Sequence, residues 1–287
     1  MSPNRSPTGY RTVSDNWGAQ RLKTLNIIGA GYVGITLGSA WRQAASCKIL
    51  GLMNRRIESA EQARQQIGAG AVCTRLSDMP AASLWMLTVA DDQIAEVAHQ
   101  LGASGLLNKN DVVFHCSGAL PSGFLKACQS AGALVASVHP VKTFPHADTN
   151  PEALQGTYCC MEGDDQALEI LDDIFRQIGC ITLRITADNK TLYHTGTVIA
   201  CNYMVALQDV ALSTLAEAGL DRQTARNLLA PLLRETLENI IERDTTQALS
   251  GPITRGDTGV VTRQLQALRA QSNDHAELYR LLGMRRS

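Results

Sequence analysis

Apolar positions along this chain fall into two regimes that change over near Thr186. Before that point, short apolar runs alternate with stretches of helical periodicity. Strands are expected over Leu25–Ile28, Cys47–Met53, Ala71–Thr74, Ser83–Val89, Asp111–Cys116, Leu134–Val138, Thr157–Met161 and Cys180–Ile185. Helices are expected over Tyr32–Ala45, Glu58–Ile67, Pro121–Ala131 and Asp164–Ile178, with another starting near Asp91 or Asp92 as its cap. Ser83–Val89 is almost uninterrupted, which suits a parallel strand covered on both faces. The alternation predicts an α/β fold, a doubly wound and mostly parallel sheet. Val141–Gly156, with Pro145 and Pro151, reads as an irregular loop placed to serve as a lid.

Beyond Asp188 the strand pattern disappears. Asp188–Ala218 is expected as one helix, apolar around much of its circumference, hence a central helix packed on several sides. Gly219-Leu220 is the expected stop, and Asp221 the cap of a helix that reaches about Arg243 and is kinked at Pro231. A turn-rich segment, Ser250–Asp257, and two shorter helices complete an all-α C-terminal domain. The expected boundaries are a mobile tail over 1–20, a sheet domain over 21–186 and a helical domain over 187–287. A division near Gly156 is the alternative.

The junction of the first strand and helix carries the clearest chemistry. Leu25 to Gly34 reads LNIIGAGYVG, a G-x-G-x-x-G turn between strand and helix. That is the Rossmann dinucleotide fingerprint in its expected context. Gly29 is expected to permit the tight turn, Gly31 to let a pyrophosphate approach the backbone, and Gly34 to bring helix and strand close. Ala30, Tyr32 and Val33 complete the loop, and the helix N-terminus offers N–H groups to phosphate. The second strand ends at Asn54-Arg55-Arg56, where NAD-preferring sites carry an acid for the ribose hydroxyls. Two guanidinium groups without an acid suit a 2′-phosphate, so NADP(H) is the expected cofactor. The plainer alternative is a pair of solvated arginines. Thr88 to Asp91, including Val89 and Ala90, falls at a strand end that lines the ligand crevice.

Charge and cysteines narrow the classes. A formal net charge of −1 argues against a nucleic-acid partner. Eight cysteines without a CxxC pair are expected as buried, reduced thiols of a cytoplasmic protein, with no metal site. No secretory signal and no run of 18 apolar residues occurs, so no membrane span is expected.

Reduction of a carbonyl needs a proton donor and groups that hold the substrate. Ser117, His139 and Lys142 fall at the ends of adjacent strands, and His194 and Asn202 on the long helix. Eight residues separate the last two, about 80° around the helix. His139, His194 and Lys142 are suitable donors, and Ser117 and Asn202 can donate hydrogen bonds. Arg255, in the unusual GPITRGD turn, could reach a substrate carboxylate. Each has a structural alternative: a satisfied core histidine, a solvated lysine, a helix–helix asparagine bond, a strand-ending serine, or a turn in which Asp257 caps and Arg255 pairs with a carboxylate.

The segments LNIIGAGYVGITLGSAW, VVFHCSGAL, SVHPVKTF, LYHTGTVIACNYMVAL and GPITRGDTGVV resemble an uncharacterised group of bacterial Rossmann-like oxidoreductases. The helical half of that group carries only an unknown-function label. It is similar in turn to ketopantoate reductases, pyrroline-5-carboxylate reductases and β-hydroxyacid dehydrogenases. The resemblance spans about Leu22 to Leu282. It implies NADP-dependent reduction of a small keto acid, ketopantoate first, or of an imine, and a helical domain that forms a homodimer. A non-catalytic NADP(H) sensor is the rival reading. Matching the Lys/Asn pair of the hydroxyacid relatives places His194 near their lysine, or, with Lys190 as that lysine, at their asparagine. Either match departs from their pattern. Ser117 and His139 are locally similar to prephenate-dehydrogenase-type relatives.

Overall fold

The computed structural model describes residues 22–252 and 254–284, apart from the side chain of Asp244. The expected tail, residues 1–20, lies outside them. The chain divides into two compact units, with the division between Thr195 and Gly196.

In the first unit the apolar runs become eight strands: β1 Lys23–Ile28, β2 Cys47–Met53, β3 Ala71–Val72, β4 Leu84–Leu87, β5 Val112–His115, β6 Leu134–Pro140, β7 Tyr158–Gly163 and β8 Ile181–Arg184. They form one sheet in the order β3-β2-β1-β4-β5-β6-β7-β8. Pairing is parallel from β3 through β6, antiparallel between β6 and β7, and parallel again to β8. This is the expected doubly wound, mostly parallel sheet. The strand order reverses between β1 and β4, which makes the switch point where a crevice opens at the carboxyl ends of the strands.

Alternate side chains of the central strands feed two apolar clusters, one on each face of the sheet. Leu25, Ile27, Leu84, Met86, Phe114 and Ala136 belong to one, and Ile28, Trp85, Leu87, Val113 and Val135 to the other. The first is covered by α1 (Tyr32–Gln43) and α5 (Asp165–Arg176). There Trp41 is fully buried, edge-on to Phe175 at 5.0 Å between ring centroids, and its indole N–H donates to the Ile174 carbonyl at 2.9 Å. α2 (Ile57–Ile67) buries Ala60, Ala63 and Ile67, the spacing of one helical face. α3 (Ile94–Ala103) and the short α4 (Lys126–Ser130) serve the second cluster.

One expected cap is corrected. A short 3₁₀ turn, Asp91–Gln93, precedes α3, whose N-cap is Gln93, with no side-chain capping bond. Asp91 is engaged elsewhere, as described below.

The remaining elements are helical: α6 Lys190–Glu217, α7 Arg222–Ala248, α8 Thr258–Gln271 and α9 Asn273–Met284. Gly219 ends α6 at φ +92°, and Asp221 caps α7 by accepting from the N–H groups of Gln223 and Thr224, both at 3.0 Å. α7 continues through Pro231 and ends five residues beyond the expected Arg243. The expectation of a central, enclosed α6 fails. Ile199, Tyr203, Met204 and Val205 are exposed, and among the described residues from Gly196 on only Ala225 and Ala276 are buried. An all-round apolar pattern records that a helix is to be covered. It does not record that its own chain supplies the cover.

The segment Ala187–Glu217 is also long and apolar enough, by length and composition only, to cross a membrane. No uninterrupted apolar run gives it that property. Lys190, His194, Asn202 and Asp209 punctuate it. Of the eight cysteines, none is in a disulfide and all but Cys116 and Cys201 are buried.

Candidate functional site

The glycine loop leaves β1 with Gly29 at φ +86°. A Cβ there would lie 2.5 Å from Val89 Cγ1 and 2.7 Å from the Val89 nitrogen, so both the conformation and the space require glycine. A Cβ on Gly34 would lie 2.6 Å from Thr88 Oγ1, which donates to the Gly29 carbonyl at 2.9 Å. Thr88 and Val89, at the end of β4, are therefore the wall against which the turn is pressed. Gly31 is the N-cap of α1 and is exposed. A Cβ on Gly31 would meet nothing nearer than the Gly29 carbonyl oxygen, 4.0 Å away. Tyr32 is exposed beside it, Val33 packs against the core, and the first turn of α1 holds no acidic residue. Open backbone at an uncapped helix N-terminus is what a pyrophosphate requires.

Asn54 plays a different part from the one expected at the end of β2. Its Oδ1 accepts from the Ala30 N–H at 2.6 Å and its Nδ2 donates to the Ala30 carbonyl at 3.2 Å. It braces the loop from behind. Arg55 and Arg56 are exposed, and Arg56 has only a loose ion pair with Glu58 at 3.9 Å. Ala90 is exposed at the end of the β4 loop.

Beyond β5 and β6 the polar residues draw together. Ser117 Oγ donates to Asp91 Oδ2 at 2.9 Å and accepts from the N–H groups of Ala119 and Leu120 at 3.2 and 3.1 Å. Its one proton is thus directed to a carboxylate, and the expected role as a donor to substrate is not the one its bonds display. His115 is fully buried, its Nδ1 accepting from the Ser117 N–H at 3.2 Å, so Nε2–H donates to the Pro121 carbonyl at 3.3 Å. Burial, with the charge of Lys190 nearby, lowers its pKa to about 4.

His139 and His194 face each other over Gly118, with ring centroids 5.5 Å apart. A Cβ on Gly118 would lie 2.3 Å from His194 Cδ2 and 2.9 Å from His139 Cε1, so this glycine makes room for the pair. His139 Nδ1 is 2.8 Å from the Tyr193 hydroxyl. Burial first, then the neighbouring His194 and Lys190, lower the His139 pKa to about 4. His139 is therefore neutral at physiological pH.

Lys190, at the start of α6, is 0 % exposed. Its Nζ donates to Ser137 Oγ at 2.6 Å and lies 3.7 Å from Glu162 Oε1. Glu162, buried on β7, accepts from the N–H and the hydroxyl of Ser122, each at 2.7 Å. Burial lowers the Lys190 pKa, and Glu162 opposes that shift. Glu162, Ser137 and Tyr193 carry no motif that would mark them in the sequence. A glutamate within the apolar strand YCCMEG was the available signal, because a carboxylate there requires a buried partner.

The other candidates lie apart. Lys142 is exposed, in the loop that follows β6. Asn202 is exposed on α6 in the second unit. Arg255, also in that unit, pairs with Asp257 at 2.9 Å, as the structural alternative had it, although Asp257 forms no side-chain capping bond to α8. No group of three or more histidine, cysteine, aspartate or glutamate side chains suited to a metal occurs among the described residues.

A sheet that reverses at β1/β4, with the glycine turn at that point, defines a Rossmann-like nucleotide-binding protein. The Rossmann-like domain model matches residues 10–140, and the model of a domain of unknown function, DUF2520, matches residues 157–286. The chain thus joins a match to a Rossmann-like domain with a match to a DUF2520 domain. No curated protein matches its sequence. Among solved structures, a Thermotoga maritima protein is 26 % identical with a TM-score of 0.71, over 91 % of this chain and 96 % of that one. A Bacteroides fragilis protein named as a candidate NADP oxidoreductase is 20 % identical with a TM-score of 0.75, over 92 % and 97 %. A reductive aminase of Aspergillus terreus, in complex with NADPH and ethyl levulinate, is 14 % identical with a TM-score of 0.66, over 92 % and 93 %. The last two likenesses speak for the fold.

The buried imidazoles set a pH dependence. Both His115 and His139 titrate near 4 in the folded chain and near the ordinary 6.5 when unfolded. Between those values the unfolded state binds more protons, so stability falls as pH drops from 6.5 to 4. The expected loss approaches about 3 kcal/mol per imidazole at the acid end. Urea unfolding of wild type and His115→Gln at pH 7.5 and 5 checks this. The variant should lose less stability between the two pH values, and equal losses would refute the assignment.

Proposed function

We propose that this protein is an NADP(H)-dependent oxidoreductase that reduces C=O or C=N in a small substrate. The observation that carries the reading is the glycine cradle, in which Gly29 and Gly34 press on Thr88 and Val89 while Gly31 lies open at the start of α1. Gly31 and the first turn of α1 would hold the pyrophosphate, and Arg55 and Arg56 the 2′-phosphate. When bound, the reduced dinucleotide supplies a hydride. The chain must then supply a proton and stabilise the reacting oxygen or nitrogen. His194 is the proposed proton donor, because His139 is held neutral by burial and by His194 itself.

A keto acid of the ketopantoate type would call for a cation to hold its carboxylate. Lys142 and Arg255 remain the candidates, the first exposed and the second paired with Asp257. Reduction of an imine is the second reading, favoured by the likeness to a reductive aminase. Arg55→Ala/Arg56→Ala is expected to weaken NADPH binding about 10- to 100-fold, the worth of one or two charge-assisted bonds, with NADH affinity unchanged. Equal affinity of the wild type for NADH and NADPH would overturn the cofactor assignment. NADPH oxidation over a panel of keto acids and imines tests the reaction. His194→Ala should lower turnover by about 10² or more while NADPH affinity holds. Binding without turnover on any member would favour the rival reading, a non-catalytic sensor.

The second unit is proposed to form a homodimer. Leu228, Leu232, Leu237, Ile240 and Ile241 of α7 are exposed, Ile241 at 74 %. A groove of about 720 Å³ among α6, α8 and α9 is lined by Leu207, Val210, Leu268, Leu278 and Leu282. Apolar surface on this scale, in a unit with two buried residues among those described, calls for a cover. The two complementary features, an exposed ridge and an apolar groove, belong to the same chain, so a second copy supplies both. Sedimentation equilibrium should give a dimer, and Leu232→Glu/Ile241→Glu a monomer. A wild-type monomer, or one that partitions onto phosphatidylcholine vesicles, would overturn the dimer.

A further inference from the structure

We propose that Tyr193 is a positioning residue, whose hydroxyl donates to Nδ1 of His139 and fixes that imidazole as the tautomer with its proton on Nε2. The inference rests on the reading of this cluster as a reductase site. The two groups are 2.8 Å apart, with their rings edge-on at 75°. Tyr193 lies in the first turn of α6, three residues beyond Lys190, and His139 lies two residues beyond Ser137 on β6. Residues three apart on a helix and two apart on a strand each share a face. Two rungs thus join the same helical turn to the same strand face: Lys190 to Ser137, and Tyr193 to His139. The ion pair of Lys190 with Glu162 anchors that turn to β7 as well.

The direction of the bond follows from the proton count. Burial raises the Tyr193 pKa above the ordinary phenol value, so the hydroxyl keeps its proton. His139 is neutral and owns one N–H. If that N–H were on Nδ1, the tyrosine oxygen would accept it, and the phenolic proton would be left to the Cys160 thiol beside it, a weak acceptor. With Nδ1 accepting, the phenol donates to the strongest base within reach. Nε2–H is then the one proton that this ring has to offer, on an imidazole whose Cε1 borders Gly118 beside His194.

This divides the work between the two histidines. His139 polarises the C=O or C=N group as a neutral hydrogen-bond donor and keeps its proton. His194 gives up the proton that, with the hydride from NADPH, completes the reduced product. It is only half-buried, and solvent returns the proton to it.

Long-range ¹H–¹⁵N correlation of the imidazoles at pH 7.5, with His139 assigned through His139→Gln, reads the tautomer directly. The wild type should show His139 protonated on Nε2 alone. Tyr193→Phe should move it toward a tautomer mixture and lower kcat about 10²-fold on any substrate the panel returns, with KM and NADPH affinity within about twofold. A proton on Nδ1 in the wild type, or a tautomer unchanged in Tyr193→Phe, overturns the proposal. The wild-type spectrum decides without the variant, should Tyr193→Phe fail to fold. Absence of turnover with Nε2 protonated would instead overturn the reductase reading and leave the tautomer assignment standing.

Discussion

A lysine with no solvent exposure is the constraint on which the candidate site depends. Lys190 Nζ has left water completely, and a buried ammonium survives only when paired and hydrogen-bonded. Its partners come from two neighbouring strands, Ser137 of β6 and Glu162 of β7, and Glu162 is itself held by Ser122. Each member occupies a donor or acceptor that another member would otherwise leave orphaned. Loss of one would leave its partner charged and unpaired, which is costlier than never having buried the pair. The pair is thus better understood as a clamp on geometry than as a source of stability. What it clamps is the one turn of α6 that carries Tyr193 and His194.

The charge of Lys190 acts beyond its contacts. It is among the causes that lower the His115 and His139 pKa values, after burial in both cases. Two imidazoles around one buried cation are kept neutral, and each neutral ring has a defined partner: Pro121 and Ser117 for His115, Tyr193 for His139. Neutral histidines act through which nitrogen bears the proton, and this cluster has the hydrogen bonds that determine it.

How much of this was legible in the sequence follows from the range of the physics. The glycine turn was legible because its spacing between a strand and a helix is a motif in itself, even though the wall that Gly29 and Gly34 press on, Thr88 and Val89, comes from the end of β4. The strand set was legible because apolar runs and turns report it directly. Asp91 was misread as a helix cap because its real partner, Ser117, is 26 residues away, whereas capping is a rule about neighbours. Asn54 was placed correctly at the end of β2, but its bonds to Ala30 cross between two turns. Glu162 and Ser137 went unmarked for the same reason, since their importance exists only once β6, β7 and α6 meet.

The long helix shows the limit from the other side. Its composition demanded cover, and the expectation placed that cover inside the chain. In the structure, apolar residues of α6 and α7 stand in the open while the sheet unit that holds Lys190 is closed and well packed. The two halves are therefore in different thermodynamic situations. The sheet unit has its own core and can hold a nucleotide cradle in place. The helical unit buries only Ala225 and Ala276 among its described residues, and the proposed homodimer would supply the cover it lacks. Lys190 and its ion pair stand at the start of the helix that enters this second unit, tying its first turn to a rigid sheet. The histidine pair then takes its geometry from the sheet, through Tyr193 on His139 and Lys190 on Ser137 and Glu162, and not from the helices beyond.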